Sequence, residues 1–128
     1  MKVTLSEFIE IGLAQGRANL HLQEPGFELF YARFNKRYIN GKMYLKVLDI
    51  ANISVEPKLR GTGVFTRLVR RLRKQYPWMT LYVENAAPLF QELLRKLEFK
   101  EHDINPDCFF LEGENAPVEE IHVPNAGV

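Results

Sequence analysis

Two long runs of strand-forming residues, Phe27 to Ile39 and Lys42 to Val55, meet at Asn40-Gly41. Both positions of that dipeptide tolerate positive φ, which a two-residue hairpin turn requires. The pair therefore commits the centre of the chain to a long antiparallel hairpin. A two-residue turn pairs Ile39 with Lys42, so Phe34 faces Val47, Ala32 faces Asp49 and Phe30 faces Ala51. One face then carries Phe30, Ala32, Phe34, Leu45, Val47, Ala51 and Ile53, with Asp49 as its lone charge. An apolar face of this kind sets register, and a bulge near the end of the second strand would shift the count.

The flanking segments supply helices and further strands. Thr4-Leu5-Ser6-Glu7 fits a capping box, and Leu5, Phe8, Ile9 and Leu13 recur at helical spacing, which predicts a helix from about Leu5 to Ala14 that ends near Gly16. Arg17 to Glu24 is ambiguous, and Pro25-Gly26 is a turn. After the hairpin, Gly63 to Gln75 reads as an amphipathic helix with the stripe Val64, Phe65, Leu68, Val69 and Leu72, closed by Pro77. Trp78 to Glu84 reads as a strand. Asn85 to Pro88 opens a helix carrying Leu89, Phe90, Leu93, Leu94 and Leu97. Phe99 to Ile104 and Asp107 to Leu111 form a last hairpin around Asn105-Pro106. Residues 1–111 make one α+β domain, a mixed, mostly antiparallel sheet with flanking helices. Residues 112–128 are polar, contain two prolines and read as an exposed or loosely docked tail.

Composition removes several function classes. A net charge of +1 gives no whole-molecule attraction to nucleic acid or anionic membrane. One cysteine, Cys108, excludes an internal disulfide and a cysteine-based zinc site, and His21, His102 and His122 lack ligand spacing, so no metal is expected. No apolar run approaches the roughly 20 residues that span a bilayer, and the N-terminus has no signal-peptide core. A cytoplasmic protein is the default expectation.

The stretch with chemical content is Val55-Glu56-Pro57-Lys58-Leu59-Arg60-Gly61-Thr62-Gly63-Val64-Phe65. Pro57 stops the strand, and two glycines allow a sharp turn and close approach of a ligand. The amides that open the next helix lack intrahelical partners and carry the positive end of the helix dipole, a combination that binds anions. An ordinary strand-to-helix loop is the competing reading of a glycine pair alone.

Together with the strand before it and the strand and helix after it, this stretch resembles the acetyl-coenzyme A motif of the GNAT superfamily of N-acetyltransferases. That motif runs Arg/Gln-x-x-Gly-x-Gly/Ala after an apolar strand. Arg60 and Gly63 match it, and Gly61 is a common choice between them. Leu81-Tyr82-Val83-Glu84-Asn85, the helix from Pro88 to Leu97 and Phe99 resemble the family's next strand, helix and closing aromatic. The element order covers residues 4 to 111. The resemblance implies a GNAT-like single domain in which the strands ending at Val55 and Glu84 splay apart around acetyl-CoA. It also implies backbone pairing of Ile53 and Val55 with the pantetheine arm. The pyrophosphate would be held by the amides of Arg60, Gly61, Thr62, Gly63, Val64 and Phe65, and Asn85 would lie beside the cofactor. Three positions depart from the family pattern. Phe65 stands where the motif ends in Gly/Ala, Leu94 where a proton-donating tyrosine often stands, and Glu98 where a glycine usually precedes the closing aromatic.

Acetyl transfer to an amine needs a neutral nucleophile, and a carboxylate can take its proton directly or through water. Glu84 and Asp49 are the candidate catalytic residues. Glu84 closes a strand where the splay opens; Asp49 sits on an apolar face where burial raises a carboxyl pKa. Glu56 faces water in a turn, and Tyr82 shares a face with Glu84 and is a substitute acid or a plain sheet residue. The sequence thus implies an acetyl-CoA-dependent N-acetyltransferase acting by direct transfer on a primary amine of a small molecule or protein. The alternative is a catalytically degenerate GNAT-fold protein that binds CoA or a protein partner. Arg67, Arg70, Arg71 and Lys74 form a basic helix stripe that serves as a solvated face, a contact to the 3′-phosphate of CoA or a nucleic-acid contact; near-neutral total charge argues against the last. The acceptor is not specified, and a homodimer is left open.

Overall fold

The computed structural model describes residues 2–119 of the chain. Three helices and seven strands follow one another. They are α1 (Leu5–Gln15), β1 (Ala18–His21), β2 (Phe27–Ile39), β3 (Lys42–Val55), α2 (Val64–Gln75), β4 (Thr80–Val83), α3 (Pro88–Lys96), β5 (Lys100–Glu101), β6 (Phe109–Leu111) and β7 (Val118–Glu119). The strands form a single sheet in the order β1-β2-β3-β4-β6-β5, and β7 pairs with the start of β3. Among the strand pairings of the described residues only β3–β4 is parallel. This is the α+β architecture with a mixed, mostly antiparallel sheet and flanking helices expected from the sequence.

Local chemistry explains the helix boundaries. Thr4 caps α1, its hydroxyl accepting from the Glu7 amide while the Glu7 carboxylate reaches back to Thr4. Glu24, buried beneath the helix start, accepts from the Leu5 amide at 2.9 Å and from Arg71 at 3.2 Å, and so ties α1 to α2. Gly16 closes α1 with φ +77°. Gly12 has Phe34 against it so closely that a Cβ there would enter the ring.

The sheet has two unlike faces. Phe34, Leu48, Leu81 and Leu111 lie in one cross-strand row, and Ala32, Ile50, Val83 and Phe109 in the next. With Phe8 and Ile9 of α1, Leu68, Val69 and Leu72 of α2, and Leu94 of α3 they make the main core. The opposite face carries a second, smaller cluster of Ile39, Tyr44, Val47, Tyr82, Cys108 and Phe110.

The observed register corrects the expected one. Ile39 does pair with Lys42, but Leu45 and Lys46 together stand opposite Lys36, a bulge in β3. Beyond it Phe34 faces Leu48, Arg33 faces Asp49, and, after a second irregularity at Ala51, Phe30 faces Ile53. Leu48 and Ile50 take the places expected for Val47 and Asp49, opposite Phe34 and Ala32, and Ile53 takes the one expected for Ala51, opposite Phe30. Asp49 is moved off the main apolar face altogether and lies opposite Arg33.

Other boundaries also move. The ambiguous segment after α1 contains edge strand β1. The strand expected from Trp78 begins at Thr80, and the last hairpin is short, with two residues in β5 and three in β6. Residues 112–119, expected as part of an exposed or loosely docked tail, are packed on the domain: the Glu114 amide donates to Pro77 O at 2.7 Å, the Leu45 amide donates to Pro117 O, and β7 extends the sheet. Gly113 is buried against Trp78 and Met79 with no room for a Cβ. The rest of the expected tail, 120–128, lies outside the described residues.

Candidate active site

The edge of β3 that faces β4 is used in three ways along its length. Met43 and Tyr44 pair with β7, and Val47 to Ile50 pair with β4. The last ladder bond runs from the Glu84 amide to Ile50 O at 3.1 Å. After that the chain leaves the sheet through Asn85, at φ +51°, and turns into α3. Asn52 to Val55 stay paired with β2 on one side, and among the described residues no strand neighbours the other edge. The space between is a cleft of about 850 Å³ lined by Ala51 to Val55, Arg60, Gly61, Phe65, Glu84, Asn85 and the Ala87–Leu93 side of α3. Unpaired backbone groups along one wall are what an extended, amide-bearing ligand can satisfy.

The cleft ends at the glycine turn. Gly61 and Gly63 have φ +78° and +83°, so left-handed backbone is required at both. A short 3₁₀ turn, Pro57–Leu59, precedes them, and the Thr62 hydroxyl donates to Leu59 O at 2.6 Å to fix the turn. Among the described residues, no backbone carbonyl accepts from the amides of Gly61, Gly63, Val64, Phe65 or Thr66. No side chain caps α2 either. Five free donors at a helix start are a fitting cradle for a polyphosphate. Arg60 is exposed, its Nε donating to Val55 O at 3.3 Å, which leaves its other guanidinium nitrogens available. Phe65 is turned inward, 4% exposed and edge-to-face with Phe90 at 4.8 Å, and one side of it still borders the cleft.

Behind the cleft, on the sheet face away from the helices, lies a polar cluster. Asp49 is fully buried. Its Oδ2 accepts from Arg37 Nη1 at 3.0 Å and lies 4.0 Å from Arg33 Nη1, while Oδ1 has no hydrogen-bond partner. Arg33 donates to Glu84 Oε2 at 3.2 Å. Burial first, then the neighbouring Glu84 carboxylate, push the Asp49 carboxyl up to about 8, against the opposing pull of Arg37 and Arg33. Asp49 therefore favours its protonated form at neutral pH, and Glu84 and Asp49 share one proton between them. The Arg37 guanidinium lies over the Tyr82 ring, 3.8 Å from its centroid, and the Tyr82 hydroxyl is 2.7 Å from His102 Nδ1. Burial is the largest cause that raises the Tyr82 phenol to about 12, against the pull of Arg37.

The two sequence candidates, Glu84 and Asp49, thus meet at one place. Ile53, Val55, Arg60, Gly61, Phe65 and Asn85 line the cleft, whereas Thr62, Gly63 and Val64 do not, Val64 bordering a separate pocket beside Gly26 and Arg67. Tyr82 is held by His102 and does not line the cleft. Leu94 is a fully buried core residue. Arg33, between Ala32 and Phe34, and Arg37, in the polar run Asn35-Lys36-Arg37, read in the sequence as ordinary outward strand positions. Their partner Asp49 joins them only through the bulge.

No family model matches the chain, and no curated protein matches it. Among solved structures it is similar to a mutant AtaT toxin bound to the C-terminus of the antitoxin AtaR, at 15% identity and TM-score 0.46 over 64% of this chain and 57% of that one. It is also similar to a KacTA–DNA complex, at 16% identity and TM-score 0.46 over 84% and 77%. A third is the AtaT mutant with the antitoxin C-terminus and acetyl-CoA, at 14% identity and TM-score 0.47 over 83% and 74%. These are partial likenesses of fold, and they carry no activity or partner over to this chain.

Proposed function

We propose that the chain is an acetyl-CoA-dependent N-acetyltransferase that works by direct transfer to a primary amine. The observation that carries this reading is the continuity of the unpaired β3 edge, Ala51 to Val55, with the free amides of Gly61 and Gly63 to Thr66. An extended arm with amides fits the first, and a pyrophosphate fits the second. Bound there, acetyl-CoA supplies an acetyl thioester close to Glu84. The Glu84–Asp49 pair takes the proton of the entering ammonium, the amine nitrogen bonds to the acetyl carbon, and the carbon–sulfur bond breaks. As that bond breaks the nitrogen gives its second proton to water and the thiolate takes one up from water, because Leu94 cannot give one. The buried position of Leu94 also supports a second reading, a CoA-binding module without turnover.

Calorimetric titration with acetyl-CoA, followed by thiol release over an amine panel, tests both. Micromolar binding with turnover is the expected result. Binding without turnover favours the module, and no binding at high micromolar acetyl-CoA overturns both readings.

A further inference from the structure

The ion pair between Arg33 and Glu84 points to the acceptor. Glu84 lines the cleft with its side chain 17% exposed, and Arg33 meets its Oε2 from the other side with 43% of its own side chain open to solvent. The neighbouring guanidinium, Arg37, is bound to Asp49 and covered by the Tyr82 ring. Arg33 is different: among the described residues its one hydrogen bond goes to Glu84, so four of its five N–H donors remain free. Beside it is an aromatic wall, the Tyr31 ring 5.7 Å from the guanidinium and packed on His21 with ring centroids 4.7 Å apart and planes tilted by 31°. Asn52, opposite Tyr31, is exposed and lines the cleft, so the wall and the cleft adjoin.

We infer that the acceptor is a zwitterion, a free α-amino acid, with its carboxylate on Arg33, its ammonium on Glu84 and its side chain against the His21–Tyr31 wall. The inference rests on the acetyl-transfer reading and deepens it. A ligand with both charges on adjacent carbons exchanges one ion pair for two and leaves neither Arg33 nor Glu84 alone. A bare amine takes Glu84 and leaves Arg33 facing a second cation, a mismatch that discriminates against it. Arg33 is in this account a specificity-determining residue, with no part in the proton transfer.

The test uses the full chain and has two arms. Calorimetry with acetyl-CoA first establishes cofactor binding. Thiol release is then followed with the twenty amino acids and with the amines their decarboxylation would give, phenylalanine against phenethylamine among them. The expected result is a kcat/KM at least tenfold higher for one or more amino acids than for the matching amine. Arg33→Gln should bring that ratio close to one with acetyl-CoA affinity held within threefold, and Arg33→Lys should restore part of it. Three outcomes with acetyl-CoA bound overturn the inference: no transfer to any amino acid, equal or better use of the bare amine or of a lysine side chain in a peptide, or a ratio that survives Arg33→Gln. Failure to bind acetyl-CoA overturns the acetyl-transfer reading itself and is recognised by the missing first signal.

Discussion

Asp49→Asn separates the electrostatics of the buried pair from the rest of the fold. In the folded chain the Asp49 carboxyl titrates at about 8, burial being the largest cause and Glu84 the next. In the unfolded chain it titrates near 4. Between those values the folded state holds a proton that the unfolded state has lost. Stability must therefore fall with rising pH, by about 1.4 kcal/mol per unit. Below about pH 4 both states are protonated and the penalty is absent; above about pH 8 it is fully expressed. From pH 5 to pH 8 the loss is about 4 kcal/mol in the limit, and on the order of 2–4 kcal/mol if Glu84 carries part of the proton. A domain of this size has a total stability on the order of 5–15 kcal/mol, so the slope is measurable.

Asparagine is close in shape to the protonated acid and can accept from Arg37, so the variant should match the wild type near pH 5. It should exceed it by a few kcal/mol at pH 9. Urea melts followed by Trp78 fluorescence at half-unit pH steps give both curves. Their difference cancels every other titrating group that is unaffected by the substitution. Parallel curves, within about 0.5 kcal/mol from pH 5 to pH 9, would refute the raised pKa of Asp49 and with it the proton held by the Glu84–Asp49 pair.

Glu84→Gln removes the neighbour that raises Asp49. The window of the same stability slope should then move to lower pH, while thiol release slows by about 10²-fold or more with acetyl-CoA affinity little changed; an unmoved window on repeating the urea series counts against the coupling. Arg60→Glu places a negative charge beside the free amides of the glycine turn, so calorimetry should give acetyl-CoA binding weakened by about tenfold or more, on the order of 1.5–3 kcal/mol. Unchanged affinity there refutes the placement of the pyrophosphate. Gly113→Ala drives a Cβ into the Trp78 carbonyl and the Met79 backbone, which cannot turn aside as a side chain would. Thermal melts should register a loss of about 2–3 kcal/mol, and a neutral result means that residues 112–119 are less firmly docked than described.

The two halves of the site differ in how far they could be read from the chain. The turn was legible because its signals are local: Pro57 ends a strand, Gly61 and Gly63 accept φ near +80°, and the helix stripe starts at once with Val64 and Phe65. Backbone amides at a helix start need no particular side chain, so their position follows from the element boundary. The carboxylate end was not local. Alternation from Asn40-Gly41 assigns Asp49 to the apolar face, and the bulge at Leu45-Lys46, which leaves no clear composition signal, moves it to the other one. That single extra residue sets Asp49 against Arg33, within reach of Arg37 and next to Tyr82 on β4. Without the bulge, Asp49 would be a charge inside the main core with no cation facing it, which a domain of this stability could not carry. A lone acid in an otherwise apolar period-2 pattern is therefore itself the signal. It tells the reader to look for a register shift upstream, and for cations at alternate positions of the partner strand, which here are Arg33 and Arg37.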